Sequence, residues 1–387
     1  MIPITTSTTL SIEKTAELLK SLVELKDKNA TLSEKVSKSI DNLLDSQQEL
    51  VKEIDNLMHT EKHYNQDEVE LLTTIVEVCP EFLATKNENG CLPCHYAAEH
   101  STSSFNKILE SFAVIGRKHN IGGDDSRGGL LVPRDTGRIA LQCIVNKETL
   151  EILREVDSPL FYVQDIQKYH LLHYAAWRCN LELAKYFIDL DPSCVNKMDS
   201  KQRLPIHYPV YGFDGDDQQE MVQYLLQRSV AHSTSNETIG GLFALEPGKN
   251  DFLINYMVEK AGMDKTWDCI ERALSNQNKL DNLPCILHQS IQHTPQYCSE
   301  IFKRFPNSIH VRDKNNMNRL PIHTALEKGM EWSIDLVHLI TTSREYLKDF
   351  DPATKLAPFV LAGMGTSCDL RIIYDLLCRH PEHVQTH

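Results

Sequence analysis

Between residues 11 and 60 apolar side chains recur at three- and four-residue steps, beginning with Ile12, Ala16, Leu19, Leu22 and Val23, and the stretch holds no glycine or proline. That period predicts helix. From Val36 the steps run Ile40, Leu43, Gln47, Leu50, Ile54 and Leu57, a heptad seam with one polar interruption. Carried backward, the same register meets Lys26, Asn29 and Ser33, while Thr31 and Glu34 have the spacing of a capping box that opens a new helix. Residues 1–60 are therefore expected to hold two amphipathic helices, about 11–27 and 32–59, as a helical hairpin or a short coiled coil. Two roles are open to them: covering the rest of the chain, or forming a homodimer through the N-terminal helices.

Residues 61–387 follow a different pattern, built on a repeat. Leu92-Pro93-Cys94-His95, Leu204-Pro205-Ile206-His207 and Leu320-Pro321-Ile322-His323 share one frame, and Leu171-Leu172-His173 and Ile286-Leu287-His288 are partial copies. The aligned histidines lie 78, 34, 81 and 35 residues apart, two single periods and two near doubles. Inside the first double, Asp135-Thr136-Gly137-Arg138-Ile139-Ala140-Leu141-Gln142 keeps the frame with Gln142 in the histidine slot. Gly240-Gly241-Leu242-Phe243-Ala244-Leu245 is a weaker copy inside the second, and Leu356-Ala357-Pro358-Phe359 restores the proline near the end. Eight units of roughly 40 residues result. Further apolar runs at helical spacing, such as Leu181, Leu183, Ala184, Phe187 and Ile188, or Met221, Val222, Leu225 and Leu226, predict a second helix in each unit.

The stretches Asn89-Gly90-Cys91-Leu92-Pro93-Cys94-His95-Tyr96-Ala97-Ala98 and His170-Leu171-Leu172-His173-Tyr174-Ala175-Ala176 resemble the ankyrin repeat, whose unit carries T-P-L-H-x-A. The resemblance covers about four fifths of the chain. It implies an all-α fold, an ankyrin-type solenoid of stacked helix pairs, in which the motif histidines tie adjacent units through hydrogen bonds to backbone. Leucine stands where the family has threonine before proline, which removes an N-cap hydroxyl. The Gly-rich, charged segment 115–134 looks like an inserted exposed loop. With these departures the chain is similar to the divergent ankyrin-repeat proteins abundant in diatoms, a resemblance that brings no activity with it.

Charge narrows the partners. Asp and Glu number 54 against 40 Lys and Arg, a formal charge of -14, which disfavours nucleic acid and anionic membrane and suits a basic protein or peptide. The N-terminus has neither the basic region nor the apolar core of a signal peptide. Eleven cysteines, an odd number, fit a reducing compartment. The expected location is the cytoplasm, with the nucleus as the alternative.

Chemistry-bearing motifs are few. Cys91-Leu92-Pro93-Cys94-His95 matches C-x-x-C-H, the pattern of haem attachment or a redox or zinc thiol pair, but Pro93 and His95 recur in units that have no such cysteines. Asp124-Asp125 and Asp214-Gly215-Asp216-Asp217 lack the alternation and closing glutamate of a calcium loop. His380-Pro381-Glu382-His383 lacks zincin spacing and suits a solvated tail. No phosphate-binding glycine loop or nucleophile elbow is present. No cofactor and no catalysis are expected. The leading reading is a non-enzymatic scaffold or adaptor, and the alternative is a thiol-redox or zinc-binding protein using Cys91 and Cys94.

A repeat stack binds along its concave face, where residues at turn tips and just beyond the inner helices escape packing. The candidates for partner binding are Trp177, Arg178, Tyr211, Arg203, Glu99, His100, Arg319 and Glu327. Trp, Tyr and Arg give large, rigid area with a polar handle, which places the weight on Trp177, Arg178, Tyr211 and Arg203.

Overall fold

The computed structural model describes residues 73, 74, 76, 77, 80–87, 90–99, 103–121, 128–156, 163–168, 170–232, 239–249, 251–275, 285–365 and 368–384. The helices expected within residues 1–60 lie outside them, as does His100. Among the described residues there are sixteen α-helices and no strand beyond two isolated bridges, Leu245–Phe252 and Asp313–Arg319. None of those helices is long and apolar enough to cross a membrane. The chain divides into two compact units between Leu171 and Leu172.

Helix starts explain the Leu-Pro-x-His frame. Pro321 opens the Pro321–Lys328 helix, where a missing N–H leaves no bond unmade and a fixed φ is already helical. Leu320 offers no capping oxygen, so the cap comes from within. The Leu320 N–H donates to His323 Nδ1 at 3.1 Å, and Leu92 and Leu204 do the same to His95 and His207 at 3.1 Å each. Gln142 serves Ile139 identically through Oε1 at 2.9 Å. This is the inward half of a capping box; the N–H that a threonine hydroxyl would have taken turns instead to the leucine carbonyl, as the His323 N–H does to Leu320 at 3.0 Å.

In His95 the other nitrogen ties one repeat to the next, and His173 and His288 use the same atom in the same way. A neutral imidazole that accepts at Nδ1 carries its proton at Nε2, and His95 Nε2 lies 3.2 Å from the main-chain oxygen of Arg138. His173 Nε2 reaches the Arg203 oxygen at 3.1 Å and His288 Nε2 the Arg319 oxygen at 3.0 Å. Each of these oxygens also closes its own turn, accepting from the N–H of Arg134, Asp199 or Asp313 at 2.8, 2.9 and 2.8 Å. One carbonyl thus spends one lone pair on its turn and the other on the preceding helix.

In the first unit, Pro93–Glu99 and Ser103–Lys118 pair, and Lys147–Val156 packs on the latter. Phe112 meets the edge of Phe82 at 6.5 Å, and Ile108, Leu109, Leu150 and Leu153 are buried around them. The second unit holds six successive helix pairs, from Leu171–Trp177 with Leu181–Leu190 to Pro358–Met364 with Leu370–Arg379. The apolar runs noted in sequence are its buried faces: Leu183, Ala184, Phe187, Ile188, Met221, Val222, Leu225 and Leu226 all lie inside. Ile286–His293 packs on Pro321–Lys328, which packs in turn on Pro358–Met364.

Two expectations are corrected here. Segment 115–134 is not an exposed loop throughout. Residues up to Lys118 continue the helix, and Ile115, Ile121, Leu130 and Leu131 are buried, because apolar side chains flank the glycines on both sides. The weak copy at 240–245 is not an inner helix either. Gly240 and Gly241 adopt φ of 68° and 90°, matching Gly128 and Gly129 at 71° and 95°, a conformation open chiefly to glycine. Both pairs return the chain after a long helix, and both are followed by buried residues, Leu130-Leu131 and Leu242-Phe243. The inner helix of that unit is Leu253–Ala261, which begins after a short hairpin turn.

Candidate functional site

The turn ahead of Leu204 is organised by one carboxylate. Asp199 Oδ1 accepts the N–H groups of Lys201 and Arg203 at 2.8 and 2.9 Å, and Oδ2 takes the Arg203 guanidinium at 3.2 and 3.0 Å and the Tyr208 hydroxyl at 2.6 Å. Burial pushes this carboxyl up, but the Tyr208, Arg203 and Lys201 donors outweigh it and hold the group well below the usual carboxylate range. The Arg203 guanidinium also lies over the Tyr208 ring, 4.4 Å from its centroid, and the Tyr208 ring meets the edge of His173 at 5.8 Å. The arginine is thus held in place by the Asp199 carboxylate and the Tyr208 ring together.

One turn further on, Tyr211 follows the short His207–Val210 helix and is 40% exposed. Its hydroxyl donates to Glu246, a carboxylate that is itself buried. Burial and this carboxylate together push the phenol up to about 12, against the opposing pull of Arg203, so at neutral pH the proton stays on the tyrosine. The other Glu246 oxygen faces His207 Nε2 at 4.0 Å. Tyr256 stands edge-on to Tyr211 at 5.9 Å, and the Lys249 ammonium sits over both rings.

Trp177 ends the Leu171–Trp177 helix. Leu171, Leu172, His173, Ala175 and Ala176 of that helix are buried, whereas Trp177 is 48% exposed. Arg178 follows with its N–H bonded to the Tyr174 carbonyl at 3.1 Å and its side chain half-buried. Arg203 and Tyr211 are therefore neighbours, and Arg203 and Trp177 belong to segments that His173 ties together.

The remaining candidates do not share this setting. Arg319 is only 3% exposed and forms a two-point pair with Asp351 at 2.8 Å through each nitrogen, with a third bond to Glu327 at 2.5 Å. It is a buried link rather than a contact surface, because its guanidinium is consumed by acids of its own chain. Glu327 is half exposed but committed to that link. Glu99, in the first unit, pairs with Arg134 at 3.5 Å. His100 lies outside the described residues.

Compared with models of known protein families the chain matches none, and no curated protein matches it.

Cys91 and Cys94, the pair on which the alternative reading rests, are both buried. Burial pushes the Cys94 thiol up to about 12, whereas a nucleophile or metal ligand needs the thiolate. Its sulfur instead donates to the Gly129 carbonyl at 3.4 Å. Among the described residues, no three His, Cys, Asp or Glu side chains gather where they could hold a metal ion. Asp216 and Asp217 occupy the first turn of the Asp216–His232 helix, where negative charge meets the helix dipole. His380 is not in a solvated tail: it is buried and bonds Glu382 at 3.0 Å.

What the sequence missed is the second half of the site. Glu246, Lys249 and Tyr256 all fall after the misaligned copy at 240–245. The recurring Gly-Gly-Leu, 34 residues from His95 to Gly129 and from His207 to Gly241, was the signal that could have set the register.

Proposed function

We propose that the chain is a non-enzymatic ankyrin-type scaffold whose face around Trp177, Arg203 and Tyr211 binds a protein or peptide partner. The observation that carries this reading is the exposure of Trp177 and Tyr211 at the ends of helices whose other residues are largely buried. Exposed aromatic area on a rigid element is what binding hot spots use. The three histidine-to-carbonyl ties, at His95, His173 and His288, support the repeat architecture, since each joins a helix to the turn ahead of the next repeat. The formal charge of -14 favours a partner of opposite sign, in the cytoplasm or nucleus.

The test is capture of partners with the full chain, followed by measurement of each with Trp177→Ala and Tyr211→Ala. Loss of about 2 kcal/mol or more of binding at either position is the expected result, with the melting temperature unchanged for Trp177→Ala and lowered for Tyr211→Ala, which takes the hydroxyl from the buried Glu246. A partner that binds both variants as tightly as the parent overturns the assignment of this face.

A further inference from the structure

The Tyr211 and Tyr256 rings meet at 85° with centroids 5.9 Å apart, leaving two aromatic faces turned about a common corner. Two of the chain's own cations have collected there. The Lys249 ammonium is 4.2 Å from the Tyr256 centroid and 5.8 Å from that of Tyr211, and Lys260 approaches Tyr256 to 5.5 Å. Both lysines are exposed. Ring faces attract cations within about 6 Å. Behind Tyr211, the buried Glu246 carboxylate accepts its hydroxyl and adds fixed negative charge.

Lys249 is held lightly. It stands on the turn between Leu245 and Phe252, next to Gly248 at φ 80°, and its N–H bonds the Glu246 carbonyl at 2.9 Å. No ion pair among the described residues restrains its ammonium. A long side chain of this kind can leave at the cost of a weak cation–ring contact, and a second cation can take its place.

We propose that Tyr211, Tyr256 and Glu246 form a cation-accepting cage for an arginine or lysine side chain of a basic partner segment, with Lys249 filling it in the unbound protein. This rests on the partner-binding reading above and names the chemistry of one contact within it.

Labelled hexa-arginine and hexa-lysine peptides, with hexa-citrulline as the uncharged control, are titrated against the full chain at physiological salt. Lys249→Gln is expected to bind the charged peptides about 3- to 10-fold tighter than the parent. Lys303→Gln, which removes the same charge from an exposed position on the Cys298–Arg304 helix, is expected to leave the affinity within about 2-fold. Adding Tyr256→Leu to Lys249→Gln abolishes the gain. A readout independent of that variant's folding is the Lys249 ε-methylene proton shift, moved upfield by the rings in the free protein and returned toward an ordinary value as hexa-arginine binds.

Equal gains for Lys249→Gln and Lys303→Gln, or an ordinary Lys249 shift in the free protein, overturn the cage. So does a failure of both charged peptides to bind any form. If the cage fails while a captured partner still depends on Trp177, the broader reading stands. If no partner depends on Trp177 or Tyr211, that reading falls as well.

Discussion

Arg203 and Arg319 stand in the same slot, each directly ahead of Leu-Pro-Ile-His, and each lends its main-chain oxygen to a histidine of the preceding unit. Their side chains part company. Arg203 turns back to Asp199 within its own turn and lies on Tyr208, with part of its guanidinium toward solvent. Arg319 reaches forward to Asp351, 32 residues on, and is sealed there with it. The backbone role of the slot is constant, whereas the side chain joins a surface in one unit and a unit-to-unit link in the other. What decides is the next acid along the chain: Asp199 precedes its arginine by four residues, and Asp351 arrives from the following unit.

The difference can be broken most sharply by truncation. Arg319→Ala leaves the fully buried Asp351 carboxylate without its main partner, and an expected loss of about 3–5 kcal/mol is measured by urea denaturation. His323→Ala comes next, at about 1–3 kcal/mol for the unpaired Leu320 N–H. His323→Gln should recover most of that loss, since Gln142 already performs the same bond. Arg203→Ala is expected to cost about 1.5 kcal/mol, because Asp199 keeps Tyr208 and two main-chain donors. Equal costs at Arg203 and Arg319 would erase the distinction between surface and link.

Acid sharpens the contrast further. Burial lowers the pKa of His95, His207, His288 and His323, the last from 6.5 to about 4 against the pull of Asp351. Below pH 6.5 the unfolded chain therefore takes up protons that the native imidazoles refuse, so stability is complete above that pH and falls as pH drops toward 4. Burial raises Asp351 too, but its Arg319 and Thr354 partners overcome this and hold it at about 2. The Asp351 contribution to stability is present above its ordinary value of 3.8 and is lost as pH falls from there through the depressed one. The buried histidines thus contribute a loss between pH 6.5 and 4 that Asp351 does not, and His323→Gln should make the measured slope shallower. Trp177→Ala is expected to change stability by no more than about 0.5 kcal/mol, the smallest effect of the set.

The helix pairs were legible in the sequence, because period reports packing that repeats; the histidine ties were implied by the resemblance to ankyrin, and His95, His173 and His288 make them while the Nε2 atoms of His207 and His323 do not. The roles of the two arginines were not legible, since the acids that claim them lie at different distances along the chain. Arg319 resembles a free tip residue until Asp351 is placed beside it. The unit after residue 240 escaped for another reason. Its Gly-Gly-Leu imitates a turn tip, and its helix opens with Leu253 and no proline. The one-sided caps at His95, His207 and His323 were likewise invisible, as leucine ahead of proline suggested an uncapped start.

That the histidines address a main-chain oxygen has a consequence for how such a chain can diversify. A carbonyl is the same whatever residue bears it, so the tie places no demand on the side chain at 138, 203 or 319. Mutation can rewrite that position for a new ligand while the register of the units persists. The inheritance of the frame and the inheritance of specificity run on separate tracks through a single residue.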